Sequence, residues 1–311
     1  MRTAVVARSS SRMTWRDVLL PAGQVLVAAS LAAFGVQQWL WGDFIPGRAP
    51  AFPDGLPGRL VWAYLTGTGL IATGASVLIA VAQPSAERVR LARTAALWTA
   101  VVILGWSGMR LLPAVADDVL LGGSWTRLGK ALMLSGGTLA VAGTLPAFTG
   151  RDGVLGPAMR ATDAFVATGR ACLAVFFILC GVQHFIWIDF VATLVPAWIP
   201  GPYFWSWFAG VALIAGGAGM LLPPVTALSA RLSALMVFLW VVMLHVPRAL
   251  SAMDAGSSRN EWTAVFEALA VTGIALVAAG RGSRARERGA EPVRTAPAPR
   301  SGPQPQGAGS P

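Results

Sequence analysis

The sequence predicts an all-α, polytopic transmembrane protein of eight helices, arranged as two parallel repeats of a four-helix bundle. Three observations predict this fold: an apolar composition, eight long apolar segments and an internal duplication. The chain has 311 residues, of which 55% are hydrophobic and 12% are charged, whereas a soluble domain carries about 25% charged residues. Together with a mean hydropathy of +0.62, this composition is typical of a membrane protein.

Eight segments contain the roughly 20 mostly apolar residues that a helix needs to cross a bilayer. The predicted spans are 18–42, 58–82, 91–112, 126–147, 168–190, 203–223, 228–246 and 261–280. A basic cytoplasmic tail at 1–17 precedes them, and a cytoplasmic linker at 148–167 separates the two repeats. The tail at 281–311 is basic and has no apolar periodicity, so we expect it to be disordered.

The first repeat, 18–147, and the second repeat, 168–280, share four motifs in the same order. The matching pairs are "GVQQWLWGDF" and "GVQHFIWIDF", "PDGLPG" and "PAWIPG", "WAYLTGTGLIATG" and "WSWFAGVALIAGG", and "WTRLGKALMLSGGTLAVAG" and "WTAVFEALAVTGIALVAAG". Four ordered matches predict a duplicated unit of four helices. Because each unit has an even number of helices, both copies are expected to have the same orientation in the membrane.

The net charge of +10 does not indicate nucleic-acid binding, because the basic residues are mostly arginines in short loops and in the two tails. With the N-terminus in the cytoplasm, most of these arginines fall on the cytoplasmic side. The sequence therefore predicts a multi-pass protein of the cell (inner) membrane with both termini cytoplasmic and with the lipid bilayer as its main partner. Cys172 and Cys180 are more than two turns apart on one predicted helix, too far for a mutual disulfide.

The second repeat places its polar residues in one layer near the extracytoplasmic ends of the predicted helices. Asp189 ends the fifth helix, and His184 lies about 7.5 Å deeper at 1.5 Å per residue. Arg248 ends the seventh helix with His245 about 4.5 Å deeper, and Glu267 lies about 7.5 Å inside the eighth. Ionisable side chains within a membrane are costly and usually functional. The candidate ligand pocket consists of Gln183, His184, Asp189, His245, Arg248 and Glu267.

Structural alternatives exist for these residues. Asp189 and Arg248 would form an ion pair at the helix ends, and His184 would be a hydrogen-bonded core residue rather than a proton carrier or a ligand contact. Trp198, in the non-helical "PAWIP" connection, would either cap the polar layer or be an ordinary aromatic residue at the membrane interface. Two histidines at one depth permit haem ligation, but no other haem signal accompanies them, and no metal, nucleotide or Ser-His-Asp motif is present.

The first repeat keeps the frame of the second but loses these side chains. The residues at the positions of His184, His245 and Glu267 are Gln38, Ser107 and Lys130. We therefore expect the second repeat to contain any site and the first repeat to support it. Because Lys130 and Glu267 have opposite charges at equivalent depths, we predict that they pair across the repeat interface.

The stretch "GVQHFIWIDFVATLVPAWIPGPYFWSWFAGVALIAGGAGMLL", followed by "LHVPR" and "NEWTAVFEALAVTG", resembles the DoxX-like membrane family. The resemblance covers 170–280 and extends to 25–147 only as a degenerate copy. Members of the family are usually a single four-helix unit, so the doubling is a departure. The family takes its name from a subunit of a thiosulfate:quinone oxidoreductase, and some relatives associate with redox-protective enzymes. The resemblance implies quinone as the cofactor to consider and membrane or redox proteins as partners.

We expect an accessory, partner-binding integral membrane protein, more a non-enzyme than an enzyme, with a polar pocket open to the extracytoplasmic side. In that pocket, Arg248 would hold an anion or a quinone oxygen, and His184 or His245 would relay a proton. A redox subunit linked to quinone or a sulfur compound is one alternative, and a small-molecule transporter is another. The chain contains no redox cysteine pair or cofactor motif, so no cofactor is predicted. The sequence does not specify an oligomeric state.

Overall fold

The computed structural model of the chain describes residues 15–45, 51–53, 55–118, 120–145 and 156–290. In these residues the secondary structure is helical and contains no β-strand, which confirms the predicted all-α class. The α-helices are α1 (Trp15–Trp41), α2 (Arg59–Ala82), α3 (Ala86–Ala116), α4 (Gly123–Thr144), α5 (Gly156–Ile186), α6 (Ile188–Ala192), α7 (Pro202–Leu221), α8 (Thr226–Trp240), α9 (Val246–Ser251) and α10 (Ala255–Ala290). A π-helical segment, Val241–His245, joins α8 to α9.

Seven helical spans in the described part of the chain are long and apolar enough to cross a membrane. They are Val18–Trp41, Arg59–Ala82, Ala86–Ala116, Thr162–Ile186, Pro202–Leu221, Thr226–Ser251 and Ala255–Gly280. Helices of this length and composition are typical of a multi-pass membrane protein. Seven of the eight predicted spans therefore correspond to such a helix.

The eighth predicted span, 126–147, forms α4 but is not among the seven apolar spans. Its sequence contains Arg127, Lys130 and several Gly, Ser and Thr residues, which lower its hydropathy. From Leu128 to its end, α4 is almost completely covered by neighbouring helices. A helix that faces protein on most sides needs few lipid-facing apolar side chains, which accounts for the composition of α4.

The long helices pack against one another in a closed order. Along the chain, α1, α2, α3, α4 and α5 each contact the next, followed by α7, α8 and α10, and α10 returns to contact α1. α4 and α10 also contact each other, and each makes a smaller contact with the first helix of its own half. In the apolar span of α10, 72% of the best window is buried, against 28–44% for the other six spans. α4 and α10 therefore form the centre of the molecule.

Helix boundaries differ from the predictions at the start of α5 and at the end of α10. α5 begins at Gly156, inside the predicted linker, because Pro157 is compatible with the first helical position and no breaker follows it. α10 continues to Ala290, inside the tail that was predicted to be disordered, because this stretch is rich in the helix formers Arg, Ala and Glu and its next proline is Pro292. The predicted tails at 1–14 and 291–311 and the linker up to 155 lie outside the described residues.

At the opposite ends, two predicted helices are interrupted. The fifth ends at Ile186, and a short separate helix, α6, follows after Trp187, whose φ of −114° and ψ of 39° are not helical. The run of aromatic and β-branched residues around this point has low helix propensity. The seventh widens into the π-helical segment just before Pro247. Proline clashes with the carbonyl four residues earlier, and a π-bulge is one way to accommodate that clash.

Candidate functional site

An ion pair lies between the two central helices. Lys130 Nζ of α4 is 2.8 Å from Glu267 Oε2 of α10, and the two side chains are only 18% and 14% exposed. The prediction that these residues pair is therefore confirmed. A mostly buried pair of this kind offsets the desolvation of both charges only while both partners are present.

His245 lies at the end of the π-helical segment and borders this pair. Glu267, Glu261, Lys130 and Arg248 all act electrostatically on its imidazole. Arg248, on α9, makes two hydrogen bonds to the Glu261 carboxylate, from Nε to Oε2 at 3.2 Å and from Nη2 to Oε1 at 2.9 Å. This forked contact fixes the guanidinium plane. His245 therefore lies near two ion pairs, Lys130–Glu267 and Arg248–Glu261.

The π-helical segment gives this histidine its position. A π-turn contains an extra residue, so it shifts the side chains that follow relative to a regular α-helix. Met243, the residue four before Pro247, belongs to the segment. In the first half, the residue that matches His245 is Ser107, and α3 is a continuous α-helix from Ala86 to Ala116 around it. The widened turn is therefore specific to the half that contains the histidines, and π-bulges occur frequently at functional sites.

Gln183 has a structural role in holding the connection between α3 and α4. Its amide Nε2 donates to the carbonyl oxygens of Leu121 and Gly122 at 2.5 and 3.2 Å. Its Oε1 accepts a hydrogen bond from Thr126 Oγ1 at 3.0 Å. Leu121 has a φ of +52°, a strained value for a non-glycine residue that the Gln183 contact helps to hold. Both the oxygen and the nitrogen of this buried amide have hydrogen-bond partners within the chain.

His184 lies at the margin of the charged cluster. Its Nδ1 is 2.7 Å from the carbonyl oxygen of Cys180, one turn earlier on α5. Lys130 and Glu267 both act electrostatically on the Cys180 side chain, so this turn of α5 borders the central pair. The Cβ of His184 packs against α7, where a Cβ added to Gly210 would lie 3.0 Å away. The hydrogen bond to its own helix matches the structural alternative for this residue.

The predicted ion pair between Asp189 and Arg248 is wrong. Asp189 lies on α6 and accepts a hydrogen bond from Tyr203 Oη at 3.1 Å, while Arg248 binds Glu261. The break at Trp187 removes Asp189 from the end of α5, and α8 packs between α7 and α10 rather than against α5. The acidic partner of Arg248 is therefore Glu261 on α10. Trp198 is 67% exposed and does not cover the polar layer.

In the first half, aromatic side chains pack together at the end of the bundle where α1 ends and α2 begins. The ring centroids of Phe44 and Phe52 are 4.8 Å apart, and Phe52 stacks on Trp106 at 5.5 Å. The ring centroid of Trp62 is 5.2 Å from that of Trp106. Ser107, next in the chain to Trp106, is fully buried, and its Oγ accepts a hydrogen bond from the Ala51 backbone at 3.3 Å. We call Phe44, Phe52, Trp62 and Trp106 the aromatic plug.

Glutamine–threonine hydrogen bonds join the two halves on both sides of the central helices. Gln37 of α1 accepts from Thr263 of α10 at 3.1 Å, and Gln183 of α5 accepts from Thr126 of α4 at 3.0 Å. Sequence reasoning missed these threonines and also Glu261. The aligned "WT" at 125–126 and 262–263 and the shared "GVQ" were the available signals.

Three of the six candidate pocket residues lie in one charged cluster, and the other three make their hydrogen bonds outside it. His245, Arg248 and Glu267 join Lys130 and Glu261 in one cluster, whereas Gln183, His184 and Asp189 bind elsewhere. In this cluster the partly exposed imidazole of His245 lies near charges that are already paired. The imidazole is therefore suited to hydrogen bonding with a neutral or dipolar group. Within the residues described, no group of three or more His, Cys, Asp or Glu is arranged to hold a metal ion.

No family model, no curated protein and no solved structure matches the sequence or the fold.

Proposed function

We propose that the chain consists of two like-oriented copies of a four-helix unit, related by a pseudo-two-fold axis between α4 and α10. The helix contacts support this arrangement, because each contact between long helices of one half has a counterpart in the other. α1 and α2 correspond to α5 and α7, and α3 and α4 correspond to α8 and α10. The central contact of α4 with α10 corresponds to itself, as expected for helices beside the axis.

Glycine contacts support the same relation. A Cβ at Gly23 of α1 would meet the carbonyl oxygen of Gly273 of α10, and a Cβ at Gly169 of α5 would meet that of Gly136 of α4. These four glycines occupy matching positions in the two sequence copies. Small residues at such points let the helix backbones approach closely.

The turns before α2 and α7 also correspond. Gly58 and Gly201 both have left-handed backbones, with φ of +77° and +74°, and each directly precedes its helix. Both glycines follow a proline in the aligned "PDGLPG" and "PAWIPG" motifs. Because only glycine adopts this conformation without strain, the shared residue has a physical reason.

We further propose that the protein is a DoxX-like component of the cell (inner) membrane with both termini in the cytoplasm. The Arg-rich loops support this orientation, since basic residues accumulate on the cytoplasmic side of membrane proteins. In this orientation the cluster of Lys130, His245, Arg248, Glu261 and Glu267 lies towards the extracytoplasmic surface.

The function that the geometry supports best is that of an accessory membrane protein that binds a small polar ligand or a ligand head group at this cluster. The observation that carries the proposal is the partly exposed His245 beside the Lys130–Glu267 pair. Ionisable groups at this depth are costly and mark sites of function by default. In both ion pairs the positive and the negative partner belong to this chain. Because these charges balance each other, the cluster is suited to a ligand without net charge. In the first half, the position that matches His245 is Ser107, which is buried. We therefore assign the ligand site to the second half.

The proposal is tested by native mass spectrometry and absorption spectroscopy of the protein purified in lipid nanodiscs. We expect mass spectrometry to detect a bound small molecule in the wild type and in Ser107→Ala but not in His245→Ala. We expect all three purified proteins to be colourless. A bound quinone or an absorbing cofactor would instead support the redox-subunit alternative. The absence of any adduct, or equal occupancy in all three proteins, would contradict a ligand site at His245.

A further inference from the structure

Five aromatic side chains surround the outer ends of α5 and α7 without protein cover. They are Trp187, Phe190, Trp198, Tyr203 and Phe204, all of them exposed. We call this set the aromatic shelf. Phe190 is 64% exposed, while Phe44, at the matching position of the first half, is 2% exposed and belongs to the aromatic plug. We propose that the aromatic shelf is a lipid-anchoring surface that inserts into the phospholipid head-group layer.

The position of the shelf in the chain indicates this layer. Trp187, Phe190 and Trp198 lie between the apolar spans Thr162–Ile186 and Pro202–Leu221, and Tyr203 and Phe204 lie in the first turn of the second span. The shelf is therefore attached on both sides to helices that can cross the membrane. Between them the backbone forms only the short helix α6 and the turns that follow it. Backbone groups left unpaired in such turns cannot lie in the hydrocarbon region, where no water is present to bind them. The shelf must therefore lie at the level of the head groups or beyond it.

The chemistry of the side chains favours the head groups over bulk water. Trp and Tyr concentrate at the membrane–water interface, because each has an apolar ring and one polar group. In the shelf, the Tyr203 hydroxyl donates a hydrogen bond to the nearby Asp189 carboxylate at 3.1 Å. The neighbouring Trp205 donates its Nε1–H to the Pro200 carbonyl at 3.1 Å. An exposed aromatic patch of this size in water would be a strong association site.

The charge pattern favours lipid over an acidic or basic protein surface as the occupant. The sequence from 185 to 230 contains no Lys or Arg, and its one acidic residue is Asp189. A docking site for a charged partner would need complementary charges at its rim. The uncharged shelf instead suits the zwitterionic and glycerol region of a phospholipid layer.

The first half shows what the same segment does when it faces protein. There, Phe44 packs on Phe52, and Phe52 stacks on Trp106. In the second half the positions of Phe52 and Trp106 are occupied by Val195 and Leu244. These smaller residues offer no matching ring stack, and Phe190 stays outside. The loss of the plug in the second half thus frees an aromatic segment for lipid contact.

The experiment measures the depth of residue 190 in vesicles of phosphatidylethanolamine and phosphatidylglycerol. Phe190→Cys is spin-labelled in a Cys172→Ser, Cys180→Ser background, and Phe44→Cys in the same background is the matched control. Collisions are measured with oxygen, which concentrates in hydrocarbon, and with a water-soluble nickel complex. We expect position 190 to collide with both reagents, several-fold more often than position 44, at a depth assigned to the head groups.

Each other result would overturn the proposal. Collision with the nickel complex alone would place residue 190 in water, and collision with oxygen alone would place it in the hydrocarbon. Shielding from both reagents would mean that protein covers the shelf. A second measurement avoids the cysteine background: p-benzoylphenylalanine replaces Phe190 in the otherwise natural chain and is photo-activated in cell membranes. We expect no discrete protein adduct, and a discrete adduct would show that the occupant is a protein.

Discussion

In the first half of the molecule, Gln38 and Ser107 are fully buried, whereas His184 and His245, at the matching positions of the second half, stay partly exposed. The helix contacts around the two sets are alike. The difference arises from a few side chains at the outer ends and from the π-helical segment before Pro247. One half is therefore closed by ring packing, and the other keeps an ionisable layer accessible.

The largest effect is expected at the contact that the two halves share. Lys130→Glu would place two carboxylates together in a layer that is mostly buried, and Glu267→Lys would do the same with two ammonium groups. Removing one partner of a buried pair costs about 3–5 kcal/mol, and a like charge adds repulsion. We expect each single variant to lose most of its folded, monodisperse fraction in mild detergent.

The double variant, with Lys130→Glu and Glu267→Lys together, is the control for this pair. Because it restores opposite charges, we expect it to be more stable in thermal unfolding than either single variant. If the double variant were less stable than both single variants, the cross-half pair would not be what holds α4 to α10.

The next effect sharpens the contrast between plug and shelf. Phe44→Ala removes a buried ring from a stack, and truncation of a buried Phe costs about 3–5 kcal/mol. Phe190→Ala removes an exposed ring and is expected to change the unfolding free energy by about 0.5 kcal/mol or less. Denaturation by sodium dodecyl sulfate measures both. Equal losses at the two positions would show that the shelf is packed on protein as the plug is.

A smaller effect is expected at the close helix crossings, and it should be alike in the two halves. Gly23→Ala and Gly169→Ala each place a methyl group against a backbone carbonyl of the central helices, and overpacking of this kind costs about 1–3 kcal/mol. Gly69→Ala is the control, because nothing lies within 4 Å of a Cβ at that position. A loss at Gly23 without a loss at Gly169 would break the proposed pseudo-two-fold relation.

The smallest effect concerns the hydrogen bonds between the halves. Thr263→Val removes the donor to Gln37, and Thr126→Val removes the donor to Gln183. Hydrogen bonds between membrane helices contribute on average about 0.6 kcal/mol. We expect both variants to lower the unfolding free energy by a similar small amount. A thermal melting series should then show two shifts that are alike within error.

The helices and the central ion pair could be predicted from the sequence. Long apolar runs mark the spans, and the alignment of "WTRLGK" with "WTAVFE" predicts one depth for Lys130 and Glu267. The partner of Arg248 could not be predicted in the same way. Asp189 and Glu261 are both acids near outer helix ends, and the choice between them depends on which helices are neighbours. Since α8 packs on α10 and not on α5, Glu261 is within reach and Asp189 is not.

The plug could not be predicted either, because the sequence motif around Phe44 and Phe190 is nearly the same in both copies. What differs is the set of residues that either ring can pack against, and these come from distant positions such as Phe52 and Trp106. The role of Gln183 was missed for a similar reason. Its hydrogen bonds reach the connection between α3 and α4, which only the contact of α4 with α5 brings close.

The central claim, that the second half keeps an open ionisable site where the first half is closed, is tested most directly by cysteine accessibility at the two matching positions. His245→Cys and Ser107→Cys are made in the Cys172→Ser, Cys180→Ser background and treated in intact cells with a membrane-impermeant maleimide. The account predicts labelling of His245→Cys from outside and no labelling of Ser107→Cys until the protein is denatured. Equal labelling of the two, or labelling of His245→Cys only after the membrane is opened, would contradict it.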